Sequence, residues 1–198
     1  MRKHFGALRV LLILLFLIPA PAHAESAKGA IETQVHRVLE VLRNPAENKA
    51  EKEKKISALA EGIFDYTELS RLSLANYWRA FTPEQRTEFT GLFGKLLADV
   101  YMDRIMQYTN EKIVFGKESV LSENTVEIRS DIVTQDRSIP MAYRMILEKG
   151  EWKIYDVVIE GVSLVMNYRN QFREILVNKS PEDLLKMLRD KVRNWKGN

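Results

Sequence analysis

The 198-residue chain carries 30 Lys and Arg against 27 Asp and Glu, with three His and no Cys. The missing cysteine excludes a thiolate nucleophile, a disulfide framework and an acylated lipoprotein N-terminus. The length is that of one domain, enough to bury a core without staples.

The first residues predict an export signal. Arg2, Lys3 and Arg9 make a positive start, and an apolar run from Val10 to Ile18 follows. Pro19 and Pro21 break the run, and Ala22-His23-Ala24 offers small residues around a cleavage point, expected after Ala24. The run is about half of the roughly 20 apolar residues needed to span a bilayer, so an anchor is not expected. No Arg-Arg pair supports a twin-arginine route. Domain organisation is thus 1–24 signal peptide and 25–198 a single domain. The cut removes three basic and no acidic residues, leaving 27 Lys and Arg against 27 Asp and Glu. The sequence pI near 9.0 therefore belongs partly to the signal. The basic excess of a nucleic-acid binder is missing, and no nucleic-acid partner is expected.

The first third of the mature chain reads as helical. Ile31, Val35, Val38, Leu39 and Leu42 recur at helical spacing and stop near Asn44-Pro45. Glu47 to Lys55 alternates in sign and reads as a solvated helix face leading into Ile56, Leu59 and Ile63. Asp65 is placed to cap a short helix before Leu69 and Leu72. Thr82-Pro83-Glu84-Gln85 has the form of a capping box with Pro at the first helical position. The helix it opens bears Phe89, Leu92, Phe93, Leu96, Leu97, Val100, Tyr101, Ile105 and Tyr108, a face wider than one layer contact requires. Gly91 and Gly94 lie on it, where they allow close approach or a bend.

After Asn110 the period changes from 3.6 to 2. Residues 112–120, 124–134, 138–148 and 151–160 read as four antiparallel strands joined by short turns, among them Glu148-Lys149-Gly150. In the third strand Ile139, Met141, Tyr143, Met145 and Leu147 share a face. In the fourth, Trp152 and Ile154 alternate one way and Tyr155, Val157 and Ile159 the other, which predicts a central strand covered on both faces. Two helices close the chain, over residues 163–178 and from a Ser180-Pro181-Glu182-Asp183 cap to near Trp195. The fold class is α+β: a curved antiparallel sheet of about four strands wrapped by helices.

Chemical signatures are sparse. There is no G-x-S-x-G elbow, Gly-rich phosphate loop or H-E-x-x-H motif. His36 stands among polar neighbours without a partner and reads as a surface residue. Asp99 and Asp103 lie one turn apart, too few ligands for a cation site, and Asp103 is expected to pair with Arg104, Gln107 or a loop cation. Asp156 interrupts an apolar strand and has two readings, a functional carboxylate or a hydrogen-bonded strand residue. No catalytic residue, metal or cofactor is assigned. The surplus of large apolar side chains also has two readings, an ordinary core or a ligand cavity. Met141, Met145 and Met166 suit either.

Several segments decide between them by resemblance. Trp152-Lys153-Ile154-Tyr155-Asp156-Val157, Glu160-Gly161-Val162-Ser163-Leu164-Val165 and Asn167-Tyr168-Arg169-Asn170-Gln171-Phe172 follow in order and spacing. They resemble the W-K-V-Y-D-V, E-G-[VI]-S-L-V and N-Y-R-x-Q-F elements of the MlaC family, also known as toluene-tolerance proteins. Phe64-Asp65, Leu72 to Trp78, Thr82 to Gln85 and Phe89 resemble its helical half, so the likeness runs from about residue 30 to 190. Ala75 departs from it, standing where glycine is expected. The resemblance implies an NTF2-like cone with an apolar cavity between sheet and helices. It further implies a periplasmic phospholipid carrier, monomeric and not an enzyme. Its implied partners are an inner-membrane ABC transporter with an MCE-domain subunit and an outer-membrane lipoprotein complex. Apolar faces and family fold together nominate Trp78, Phe93, Leu97, Tyr101, Ile105, Tyr143, Met145, Val157, Ile159, Val165, Tyr168 and Phe172 as the lining. Arg169 has two readings, a phosphate contact or a structural pairing. The alternatives are a carrier for another lipid such as a hopanoid, a small enzyme using Asp156 or Asp99 as base, and an interaction module with a solid core.

Overall fold

The structure, a computed structural model, describes residues 25–108 and 111–195. The expected signal segment 1–24 lies outside the described residues. Helices α1 (Ala27–Arg43), α2 (Lys49–Ile63) and α3 (Tyr66–Leu74) lead through a 3-10 turn (Ala75–Ala80) into the long α4 (Pro83–Met106). Strands β1 (Lys112–Ser122), β2 (Thr125–Val133), β3 (Ser138–Glu148), β4 (Glu151–Ile159) and the two-residue β5 (Val162–Ser163) follow, then α5 (Leu164–Leu176) and α6 (Pro181–Trp195).

The helix starts follow local chemistry. Asn48 and Thr82 each accept from the third backbone N–H while Glu51 and Gln85 reach back, so both capping boxes close. Asp65 accepts from the Glu68 N–H at 2.9 Å and begins α3. Gly94 lets α4 approach Tyr66, whose ring would lie 3.1 Å from an added Cβ, whereas Gly91 faces open space. Burial there pushes the Tyr66 phenol up to about 12, with Glu61 adding to the effect.

The α3 C-cap is strained. Ala75 sits at φ 49°, ψ −123°, a conformation that a Cβ disfavours and glycine accepts. Ala75→Gly is therefore expected to stabilise the fold by about 1 kcal/mol, relief of strain outweighing the added chain entropy. Thermal unfolding should show a rise of roughly 2–4 °C. An unchanged or lower midpoint would refute strain at this cap.

The sheet is fully antiparallel in the order β1-β2-β3-β4-β5. The turns Lys149-Gly150 and Glu160-Gly161 have φ of 51° and 86°, and 49° and 82°, the twisted two-residue geometry suited to tight hairpins. β4 departs from expectation. Arg144 pairs with Asp156 but Met145 pairs with Ile154, so Tyr155 is the extra residue of a bulge. The inserted residue resets the alternation. Trp152 and Ile154 then share the face of Val157 and Ile159, all opposite Met141, Tyr143, Met145 and Leu147. The two apolar sets cover one face rather than two, and β4 is not central. Its outer edge is occupied by β5 and by Phe64-Asp65, whose Asp65 N–H donates to the Ile154 carbonyl at 2.9 Å.

Two apolar clusters result. The helical one gathers Leu69, Phe81, Phe89, Phe93, Phe172, Leu185 and others from α3, α4, α5 and α6. The sheet cluster joins Ala27, Ala30 and Ile31 of α1 to Val126, Ile128, Tyr143, Met145, Ile154 and Val157. Tyr101 of α4 packs against both.

Candidate functional site

The helical cluster is a set of interlocked rings. Phe93 meets Tyr168 at 4.9 Å and Phe172 at 5.2 Å, and Phe89 meets Phe172 at 5.3 Å, each edge to face. Such contacts add about 0.5–1.5 kcal/mol per pair beyond burial. The nominated residues Phe93, Leu97, Val165, Tyr168 and Phe172 all lie here. Tyr143, Met145, Val157 and Ile159 lie instead on the inner face of the sheet. Tyr101 bridges the two groups, and Ile105, one turn further along α4, is half-buried. Trp78 packs against the helical cluster from the 3-10 turn and borders a surface hollow with Arg169.

The inner face of the sheet mixes buried and part-exposed side chains: Ile132 and Ser130 are buried between part-exposed neighbours, and Leu147, beside Trp152, is exposed. Ile128, Met145 and Ile154 are fully buried. Ile113, Phe115, Ile139, Met141 and Ile159 are only half-buried. On α4 burial declines, from buried Phe89 to Leu97 through half-buried Tyr101, Met102, Ile105 and Met106. The part-exposed apolar side chains of the sheet's inner face and of the end of α4, joined through Tyr101, form a seam whose apolar burial is incomplete. Phe115 and Met141 belong to this seam by contact with the sheet cluster. Neither was among the nominated lining, although Phe115 alternates with Ile113 and Met141 shares the face of Tyr143 and Met145 and suits a cavity as well as a core.

The seam carries no phenolate. Burial raises the Tyr143 phenol above its ordinary value, with Tyr108 adding to this and Ser130 opposing it. Burial likewise raises Tyr101, opposed by Arg104, and Tyr168, reinforced by Tyr101. All three stay protonated at neutral pH, so they offer an apolar body with a neutral hydroxyl.

The titratable candidates are occupied elsewhere. Asp156, 2% exposed, accepts from the Val165 N–H at 3.0 Å, the Ser163 hydroxyl at 2.6 Å and Arg144 at 3.0 Å. Ser163 in turn caps α5 by accepting from the Met166 N–H at 3.1 Å. The strand-residue reading of Asp156 therefore holds: it fastens β4 to the start of α5 on the face away from the seam. Asp103 is exposed and pairs with Lys49 at 3.2 Å. Asp99 is half-buried, His36 is exposed, and Met166 stands outward on α5. Among the described residues no group of three His, Cys, Asp or Glu is arranged to hold a metal. Among them, too, no helix is long and apolar enough to cross a membrane.

Comparison with known proteins agrees with this architecture. The fold is similar to that of a phospholipid-binding protein from Ralstonia solanacearum, solved in complex with a phospholipid. That match has a TM-score of 0.79 at 20% identity and covers 86% of this chain and 99% of the other. In sequence the chain is 26% identical over 207 residues to the intermembrane phospholipid transport system binding protein MlaC of Haemophilus influenzae. That alignment spans 100% of this chain and 86% of the relative. A shorter match of 101 residues, 24% identical, links half of this chain to 47% of the toluene tolerance protein ttg2D of Pseudomonas putida. The family model described as MlaC protein matches residues 32–190, most of the described fold, and the chain belongs to the MlaC family.

Proposed function

We propose that this protein is a phospholipid-binding carrier that shuttles lipid between outer- and inner-membrane complexes and so maintains outer-membrane lipid asymmetry. The observation that carries the reading is the seam, where the two apolar clusters share Tyr101 and the sheet's inner face and the end of α4 keep part-exposed apolar side chains. Each acyl CH₂ shielded from water is worth about 0.8 kcal/mol, so a chain entering the seam needs little polar recognition. Family membership and the phospholipid named for its relatives favour this cargo over a hopanoid and over catalysis. Tail contacts are assigned to Tyr101, Ile105, Tyr143, Met145, Val157 and Ile159, with Phe115 and Met141 added. The rings of Phe93, Tyr168 and Phe172, with Leu97 and Val165, form the wall behind them, and Trp78 lies at its outer side.

The carrier works in the periplasm after removal of residues 1–24, as a monomer. Its partners are an inner-membrane ABC transporter with an MCE-domain subunit and an outer-membrane lipoprotein complex. Lipid-free protein incubated with phospholipid vesicles and re-isolated is expected to have taken up diacyl phospholipid, read as lipid phosphorus. Protein that stays phosphorus-free while retaining its fold would contradict the reading.

A further inference from the structure

A second site lies on the outside of the helical half. Where α3 gives way to the 3-10 turn, a hollow of about 200 Å³ is bordered by Arg71, Ala75, Asn76, Trp78, Arg79 and Arg169. It is smaller than the usual range of roughly 300–1,000 Å³ for small-molecule pockets, which suits a headgroup-sized ligand and excludes an acyl chain. Three of the bordering side chains are guanidinium groups, and no carboxylate borders it.

The hollow is built rather than merely basic. Arg169 donates from Nε to the Leu72 carbonyl at 2.8 Å, which pins its stem. This satisfies the structural reading of Arg169, which also borders the hollow and spends only its Nε on that bond. Arg71 is held by Glu68, which takes its Nε and Nη2 at 2.6 Å each. Arg79 is exposed, and neither it nor Arg169 has a carboxylate partner among the described residues. Trp78 forms one wall, and Arg86 lies 5.3 Å from its ring centroid while donating to the Trp78 carbonyl at 2.9 Å. That fourth guanidinium adds positive potential to the wall. The strained backbone of Ala75 borders the same hollow, and strain of this kind persists where the surroundings over-determine a geometry.

We propose that this hollow binds a phosphate ester, gripped by Arg79 and Arg169 with Asn76 as a further donor. Planar guanidinium groups match phosphate oxygens two by two, and that pairing distinguishes a phosphate site from a diffuse basic surface. The ester is supplied either by a headgroup at a membrane surface or by a free phosphate monoester. The site is separate from the seam and does not rest on the carrier reading.

The test compares the wild-type protein with Arg79→Glu and Arg79→Lys. Arg79 is exposed, so both variants should keep the wild-type circular dichroism spectrum. Two probes are used: glycerol 3-phosphate by calorimetry, and flotation with phosphatidylethanolamine vesicles containing phosphatidylglycerol. Glycerol 3-phosphate binding is expected to weaken about tenfold or more in Arg79→Glu and clearly in Arg79→Lys. If vesicle binding falls in parallel and glycerol 3-phosphate competes with it, the ester is a lipid headgroup. If vesicle binding is unchanged while glycerol 3-phosphate binding falls, the ester is a free one. Undetectable glycerol 3-phosphate binding, or equal binding by all three proteins, overturns the proposal whatever the vesicles do.

Discussion

Asp156→Ala is expected to lower the free energy of unfolding by about 2–4 kcal/mol, the cost of losing hydrogen bonds to a charged group and leaving a buried N–H unpaired. The carboxylate is 2% exposed and joins three elements, through Arg144 of β3, the Ser163 cap and the Val165 N–H of α5. Its loss leaves the Val165 N–H without its acceptor and Arg144 with only Glu127, at 3.2 Å. Asp156→Asn retains an acceptor for Val165 but not the charge, so its loss should be smaller. Urea unfolding followed by circular dichroism measures both. Asp103→Ala is the control: its partner Lys49 is as exposed as it is, and exposed pairs contribute about 0–1 kcal/mol. Equal midpoints for Asp156→Ala and Asp103→Ala would refute the fastening role of Asp156.

The second large effect is on cargo. Met141→Glu is expected to lower retained lipid by about two orders of magnitude while leaving the protein folded. Met141 lies opposite Ser130 and Ile159 on the inner face and is half-buried, so a carboxylate there remains hydrated when the seam is empty. An acyl chain laid over it strips that hydration, at several kcal/mol, and each 1.4 kcal/mol is tenfold in affinity. Met141→Leu conserves volume and should retain lipid. Met166→Glu, on an outward position that is 46% exposed, should also retain it. Lipid phosphorus per protein and a thermal midpoint, measured on the same samples, separate loss of cargo from loss of fold. Full retention in Met141→Glu would place the acyl chain somewhere other than the seam.

The helical half was legible because its signals are local. Thr82 and Gln85, Asp65, and the Ser180-Asp183 pair make the caps that their types and spacing announce. Strand existence was equally plain. The face of β4 was not, because one bulged residue, Tyr155, converts two opposed apolar sets into one continuous face. Periodicity carries no mark of such an insertion; pairing with β3 reveals it. The nominated lining divides for a similar reason. Helical spacing shows that Phe93, Tyr168 and Phe172 point inward, but not that they face one another rather than a ligand. Phe115 gave only ordinary alternation and Met141 suited a core as well as a cavity; their part-exposure is a tertiary property that periodicity does not carry. Ala75 was legible as an oddity from the resemblance, and its positive φ supplies the physical reason glycine is expected there.

The central claim is that the seam carries phospholipid, and the lipid content of the purified protein addresses it most directly. Organic extraction of the purified protein, followed by mass identification, should yield diacyl glycerophospholipid in near-stoichiometric amount. The extract of Met141→Glu should be nearly empty. A triterpenoid in place of the diacyl species, or a folded wild-type protein that yields no lipid, would contradict the account.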